Sequence, residues 1–172
     1  MTDDKAGQRH PPIYSDPPRD LPEPAPLVDP QNARAEGYRK VIEQIENEDE
    51  CPFCEKSSNF LAAHTQPIIM QNAHWLFTYA TWPYDDTKTH YLAILRRHIT
   101  HIVNMLPAEW TSLAALIHQL SPKNDIPGGA LTMRFGPTQY TGATVIHLHA
   151  HIIVPTIDEE SGRAKVVYFP IG

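Results

Sequence analysis

Ile146-His147-Leu148-His149-Ala150-His151-Ile152-Ile153 sets histidines in alternation with apolar side chains. That period marks a half-buried strand, whose successive side chains point to opposite faces. Ile146, Leu148, Ala150 and Ile152 would then face a core. His147, His149 and His151 would share the other face, roughly 6–7 Å apart. Imidazoles in a row on a rigid face can bind metal, attack phosphorus or hold a phosphate. Histidine suits each task because its ordinary pKa, about 6.5, leaves it neutral or charged near neutrality.

A second chemical feature lies upstream. Cys51-Pro52-Phe53-Cys54 holds the only two cysteines of the chain. A Cys-x-x-Cys pair is either a redox couple, half of a zinc site, or a reduced pair of no function. A redox couple wants a βαβ setting, and here a helix precedes the pair while a polar loop follows it. Zinc prefers four thiolate or imidazole ligands in a tetrahedron. With no second cysteine pair, histidines would complete the set, from His64, His74, His90, His98, His101, His118 and the trio. Cys51, Cys54, His98 and His147 form one such set, which would pin the knuckle to the sheet as a closed, structural site.

Recognisable elements surround these residues. Ala35–Asn47 has Tyr38, Val41, Ile42 and Ile45 at helical spacing, with Gly37 near its start. Pro67–Met70 and Trp75–Tyr79 read as strands around a turn at Gln71-Asn72. Tyr91–Leu95 is an apolar strand before Arg96-Arg97-His98. Pro107 and Glu109 suit the first turn of a helix. Its buried stripe is expected to be Trp110, Leu113, Ala114, Ile117 and Leu120, before a loop from Ser121-Pro122 to Gly128-Gly129. Leu131–Phe135 reads as a strand, Gly136–Gly142 as an exposed turn, Thr144–Val154 as the histidine strand stopped by Pro155, and Val166–Phe169 as a short final strand. Strands joined by short turns, with two main helices between them, give an α+β fold with a mainly antiparallel sheet.

Composition limits the function classes. Of 172 residues, 41% are hydrophobic, which suits one globular domain. A net charge of −6 argues against general nucleic-acid binding, which needs a basic face. No apolar run reaches membrane-spanning length, and no secretory leader is visible, so a cytoplasmic address is expected. Residues 1–30 carry eight of the seventeen prolines and read as a disordered or docking tail, leaving residues 31–172 as the folded domain.

Four segments, in order, carry a resemblance to a known family. His147-Leu-His149-Ala-His151-Ile-Ile resembles the signature of the histidine triad (HIT) superfamily of nucleotide hydrolases and transferases. Thr89-His90-Tyr-Leu-Ala-Ile-Leu-Arg-Arg-His98-Ile resembles its "GH-x-L-v-i-P-k-r-H" segment. Gly142-Ala143-Thr144 resembles its "G-Q-S", and Cys51-Pro-Phe-Cys54 the knuckle of its zinc-bearing branch. The likeness spans Cys51 to Pro155.

The resemblance implies a HIT-like fold with a five-stranded antiparallel sheet and protomers paired as a homodimer. It implies that His149 attacks the α-phosphorus of a nucleotide, expected to be a purine nucleotide, and that a nucleotidyl-histidine intermediate is then resolved by water or phosphate. His151 and His90 would contact the phosphate, and Thr144 would hydrogen-bond near the leaving group. Cys51, Cys54, His98 and His147 would hold a structural zinc. Protonated His90 or His151 is a candidate to stabilise charge developing on the phosphoryl oxygens.

The match is not complete. Leu95 stands where the family has proline, and Ala143-Thr144 replaces its Gln-Ser. Ala80 to Trp82 align where relatives carry a polar ribose contact, and Arg134 aligns where they carry asparagine. Trp82 and Tyr84 are candidates to stack a base. A final histidine rather than glutamine favours hydrolysis of phosphoramidate or phosphoanhydride bonds. Trp82-Pro83-Tyr84 leans instead toward a nucleotidyltransferase or dinucleoside polyphosphate phosphorylase. A zinc-stabilised nucleotide-binding module without catalysis is the third reading.

Overall fold

A computed structural model describes residues 26–48, 50–58, 60, 64–123 and 126–172 of the chain. The expected α+β architecture is present. Strands β1 (Ile68–Gln71), β2 (Trp75–Tyr79), β3 (Thr87–Leu95), β4 (Ala130–Met133) and β5 (His149–Pro155) form one sheet in the order β1-β2-β3-β5-β4. Every neighbouring pair is antiparallel. The main helices are α1 (Glu36–Glu48) and α2 (Pro107–Lys123), and α3 (Thr138–Thr141) is a single turn.

The sheet is covered on both faces. On one, Trp75, Phe77, Tyr91, Ala93, Leu95, Leu148, Ala150 and Ile152 pack with Leu113, Leu116 and Leu120 of α2. On the other, Leu76, Leu92 and Ile94 pack with Ile42 and Ile45 of α1, and with Cys51 and Phe53 of the knuckle. Two-sided coverage explains why the histidine strand is fully rather than half buried: His147, His149 and His151 are all buried.

Several boundaries differ from the sequence reading. The histidine strand begins at His149, not Thr144. Residues just before it find other partners: Val145 bridges Val28, Ile146 N–H donates to Leu27 O at 2.9 Å, and Leu148 N–H to Ile99 O at 2.7 Å. Val28 is buried by this docking. Of the tail expected over residues 1–30, residues 1–25 lie outside the described residues, while Leu27 and Val28 dock on the segment before the histidine strand and so correct the expectation at its end.

The buried stripe of α2 is rotated from the one expected. Leu113, Leu116 and Leu120 face the core, whereas Trp110 is 42% exposed and Ala114 is exposed too. Buried Glu109 causes this rotation. Its carboxylate accepts from Leu106 N–H at 2.8 Å and from Arg97 Nε and Nη2, both at 2.9 Å, so it holds the helix start from inside. The helix also continues through Ser121-Pro122 to Lys123, in place of the loop expected there. Val166–Phe169 is not a strand, because among the described residues no neighbour pairs with it; the nearby Ile157–Ala164 bridge closes a turn instead.

Gly37, unfavourable in a helix by propensity, has a packing reason. A Cβ there would meet Trp82 at 3.1 Å, and Trp82 stacks on Tyr38 with centroids 5.6 Å apart.

Candidate active site and metal cluster

The register of β3 on β5 decides which side chains meet. Leu92 lies opposite His151, Ile94 opposite His149, and His90 opposite Ile153. Opposed residues share a face, so His90 and His151 are diagonal neighbours there.

Cys51, Cys54, His98 and His147 converge beside this face, with one ligand atom from each within 4.8 Å of all the others. His147 Nδ1 lies 3.3 Å from Cys51 Sγ and 3.6 Å from Cys54 Sγ, and His98 Nδ1 lies 3.3 Å from Cys54 Sγ. A tetrahedral metal with bonds of about 2.3 Å to sulfur and 2.0 Å to nitrogen has sulfur–nitrogen edges of about 3.5 Å. The donor set and its spacing therefore fit one metal ion. No disulfide joins the two cysteines. His147 Nε2–H donates to Leu95 O at 2.5 Å, which leaves Nδ1 as the lone-pair nitrogen facing the thiols. Burial pushes His147 down to about 3 and so keeps it neutral, as a ligand must be. Burial also pushes the Cys51 thiol up to about 12, and a cation at the centre would offset that cost by favouring the thiolate.

The next histidine along, His149, lines a cleft that opens to solvent. Phe53 of the knuckle sits edge-on to both His147 and His149, with centroids 6.0 and 5.1 Å away, so cluster and cleft share a wall. His149 Nδ1–H donates to His147 O at 2.7 Å. The ring is thereby fixed as the tautomer whose Nε2 carries the lone pair. Burial lowers its pKa to about 4, so it is neutral near pH 7.

A chain of hydrogen bonds fixes two more tautomers. Tyr84 N–H donates to His90 Nδ1 at 3.3 Å, so in neutral His90 the proton sits on Nε2. His90 Nε2 lies 2.9 Å from His151 Nδ1 and donates to it. His151 must then carry its own proton on Nε2. Burial first keeps both rings well below the usual histidine range, followed by Arg34 for His90 and by the neighbouring His149 and His90 for His151, with Arg134 adding to each. The expected imidazolium is thus replaced by neutral N–H donors. Positive charge in the cleft comes from Arg34 and Arg134 instead.

Thr144 also lines the cleft, with its hydroxyl 3.5 Å from Asn32 O, beside Tyr38. All four residues expected at a phosphate site, His90, Thr144, His149 and His151, therefore line one cavity. Tyr84 is buried and stacks on His90, with centroids 4.8 Å apart at 16°, so that ring serves the histidine relay rather than a base. Of the remaining histidines, His64 lines the far side of the cleft and bonds Thr78 Oγ1 at 2.7 Å.

Sequence reasoning missed Arg34, Phe53 and Phe169. Phe169 lies edge-on to His151 at 5.3 Å and under the Arg134 guanidinium at 3.9 Å, while Pro170 O accepts from Arg134 Nη2 at 2.7 Å. The C-terminal segment thus straps the cleft's rim. A basic residue or aromatic in a loop gives no periodic signal, and only the fold brings these three to the site.

No protein-family model matches the chain, and no curated protein does. Solved structures do share its fold. A histidine triad nucleotide-binding protein from Candida albicans is 19% identical, with a TM-score of 0.50 over 70% of this chain and 83% of that one. A hypothetical protein from Leishmania major is 18% identical, also with a TM-score of 0.50, over 72% and 84% of the two chains. At these identities the likeness establishes the fold, which is the HIT-like fold.

Proposed function

We propose that the chain is a nucleotide hydrolase that works through a covalent nucleotidyl-histidine. The observation that carries this reading is the His149 Nδ1–His147 O bond of 2.7 Å, which leaves a neutral Nε2 lone pair in the cleft. In the first step that lone pair attacks the α-phosphorus. An N–P bond forms, and the P–O or P–N bond to the leaving group breaks, with its electron pair going to the leaving atom. Thr144 is placed to hydrogen-bond that atom. In the second step water attacks phosphorus, the N–P bond breaks, and the electron pair returns to Nε2. One water proton stays on the product nucleotide or passes to solvent; the other balances the leaving group. Dividing one displacement into two is the general gain of covalent catalysis. The N–H of His151, oriented by His90, serves the phosphoryl oxygens. The apolar wall of Ile42, Leu92 and Val145 offers the base a place, and a purine buries the larger face there.

Zinc is the metal we assign to Cys51, Cys54, His98 and His147, because two thiolates with two imidazoles suit it. Bound there, it cross-links the knuckle to the sheet. A site built on thiolates fits a reducing, cytoplasmic compartment. Among the described residues, no helix is long and apolar enough to cross a membrane. The exposed apolar side chains of Val103, Leu106, Trp110 and edge-strand Leu131 suit a homodimer interface. Sedimentation of the wild-type chain and of Leu131→Glu tests that assembly: a wild-type monomer sinks it.

The catalytic reading is tested by trapping. The chain is mixed with α-labelled nucleotide, quenched in alkali and mapped. Label is expected on His149, labile to acid; label elsewhere, or none while turnover proceeds, overturns the mechanism.

A further inference from the structure

The chain has 20 acidic residues, yet among the described residues no side-chain carboxylate lines the catalytic cleft, whereas two guanidinium groups do. Both touch the same ring. Arg34 Cζ lies 3.7 Å from the Tyr84 ring centroid, and Arg134 Nη2 lies 3.0 Å from the Tyr84 hydroxyl. Two like charges around one buried ring repel, and they also oppose protonation of His90 and His151. Asp85 is the weakest of the charges acting on Arg34 and lies outside the cleft.

The hydrogen-bond relay sharpens the point. His151 Nε2 and Arg134 Nη1 lie 3.5 Å apart. Both are N–H donors, because the His90 bond has fixed the proton of His151 on Nε2. An anionic oxygen placed beside these two nitrogens can accept from both. Arg34 sits farther along, over Tyr84, and its charge is left for a second anionic group.

Resting on the catalytic reading above, we infer that Arg34 and Arg134, joined through Tyr84, form a subsite for the phosphate chain beyond the reacting phosphorus. The cleft then selects nucleotides with a phosphoanhydride chain over nucleoside phosphoramidates, whose leaving group is not an anionic phosphate. The strap holds Arg134 for this task through Phe169 and Pro170. Guanidinium groups suit phosphate chains because their fork of N–H donors spans two oxygens.

Binding measures this without turnover. Calorimetry on the full chain carrying His149→Asn compares AMP, ATP and inorganic tripolyphosphate, free of divalent cations. ATP is expected to bind at least about tenfold tighter than AMP, with tripolyphosphate competing. Adding Arg34→Gln or Arg134→Gln should cost ATP about tenfold and AMP less than about threefold. Arg163→Gln, at an exposed position outside the cleft, controls for general charge and should change neither. Arg134→Lys, which keeps the charge, serves if Arg134→Gln does not fold. Equal affinity for AMP and ATP, or an equal loss of both on removing either arginine, overturns the subsite and leaves the catalytic reading intact. Failure of every nucleotide to bind overturns both.

Discussion

One hydrogen bond decides what His149 can do. A buried imidazole is a nucleophile only if its exposed nitrogen lacks a proton, and the carbonyl of His147 enforces that by accepting a hydrogen bond from the other nitrogen's N–H. Asparagine can keep a donor near that carbonyl but has no lone pair of comparable basicity. His149→Asn is therefore expected to lose at least about a thousandfold in kcat with the fold retained. Steady-state rates beside a thermal melt check this; a variant that melts normally and still turns over removes His149 as the nucleophile. The sequence announced His149 plainly, since alternation with apolar residues is a local pattern. Arg34 was silent. It sits in a loop, and its meaning comes from Tyr84, fifty residues away in the chain and 3.7 Å away in space.

At the scale of elements, the knuckle and the start of β5 are one unit. Cys51 and Cys54 come from the turn after α1, His98 follows β3, and His147 precedes β5, so a metal there ties together segments that otherwise meet through few bonds. Structural metal sites contribute their binding energy to folding. Chelation, or Cys54→Ser, is expected to release about one zinc per chain and lower the melting temperature by about 10 °C or more. It should also slow turnover, because His147 carries the carbonyl that orients His149. Metal analysis beside a melt checks this; an undiminished melt after complete metal removal sinks the cross-linking role. The helix, the hairpin and the knuckle were legible because each is written in neighbouring residues. The true start of β5 was not, because Leu27 and Val28 supply its missing partners from a stretch whose prolines suggested no order. The stripe of α2 misled for a related reason: a buried carboxylate, Glu109, outranks an indole when Arg97 and a backbone N–H satisfy it.

Across the whole molecule, enclosing imidazoles from both sides sets an acid limit on the fold. His90 and His151 are buried and neutral in the native state, facing His149, Arg34, Arg134 and the Tyr84 ring. Burial, aided by the two guanidinium charges, brings His90 down to about 4, against about 6.5 for an unfolded histidine. Between those values the unfolded chain binds more protons than the native one, so stability must rise with pH across that window. Read downward, stability is full above about pH 6.5 and drains as pH falls toward 4, by a few kcal/mol. Metal loss in acid acts in the same direction, so the wild-type melt alone does not isolate the pair. The double variant His90→Asn, His151→Asn keeps Cys51, Cys54, His98 and His147 and removes the two titrating rings. Its melting temperature is expected to fall less between pH 7.5 and 5 than that of the wild type, even where its stability at pH 7.5 is lower. Melts at matched ionic strength measure the two slopes. Identical slopes would mean that these rings are already protonated in the folded chain, and the neutral relay that hands His151 its proton on Nε2 would fall with them.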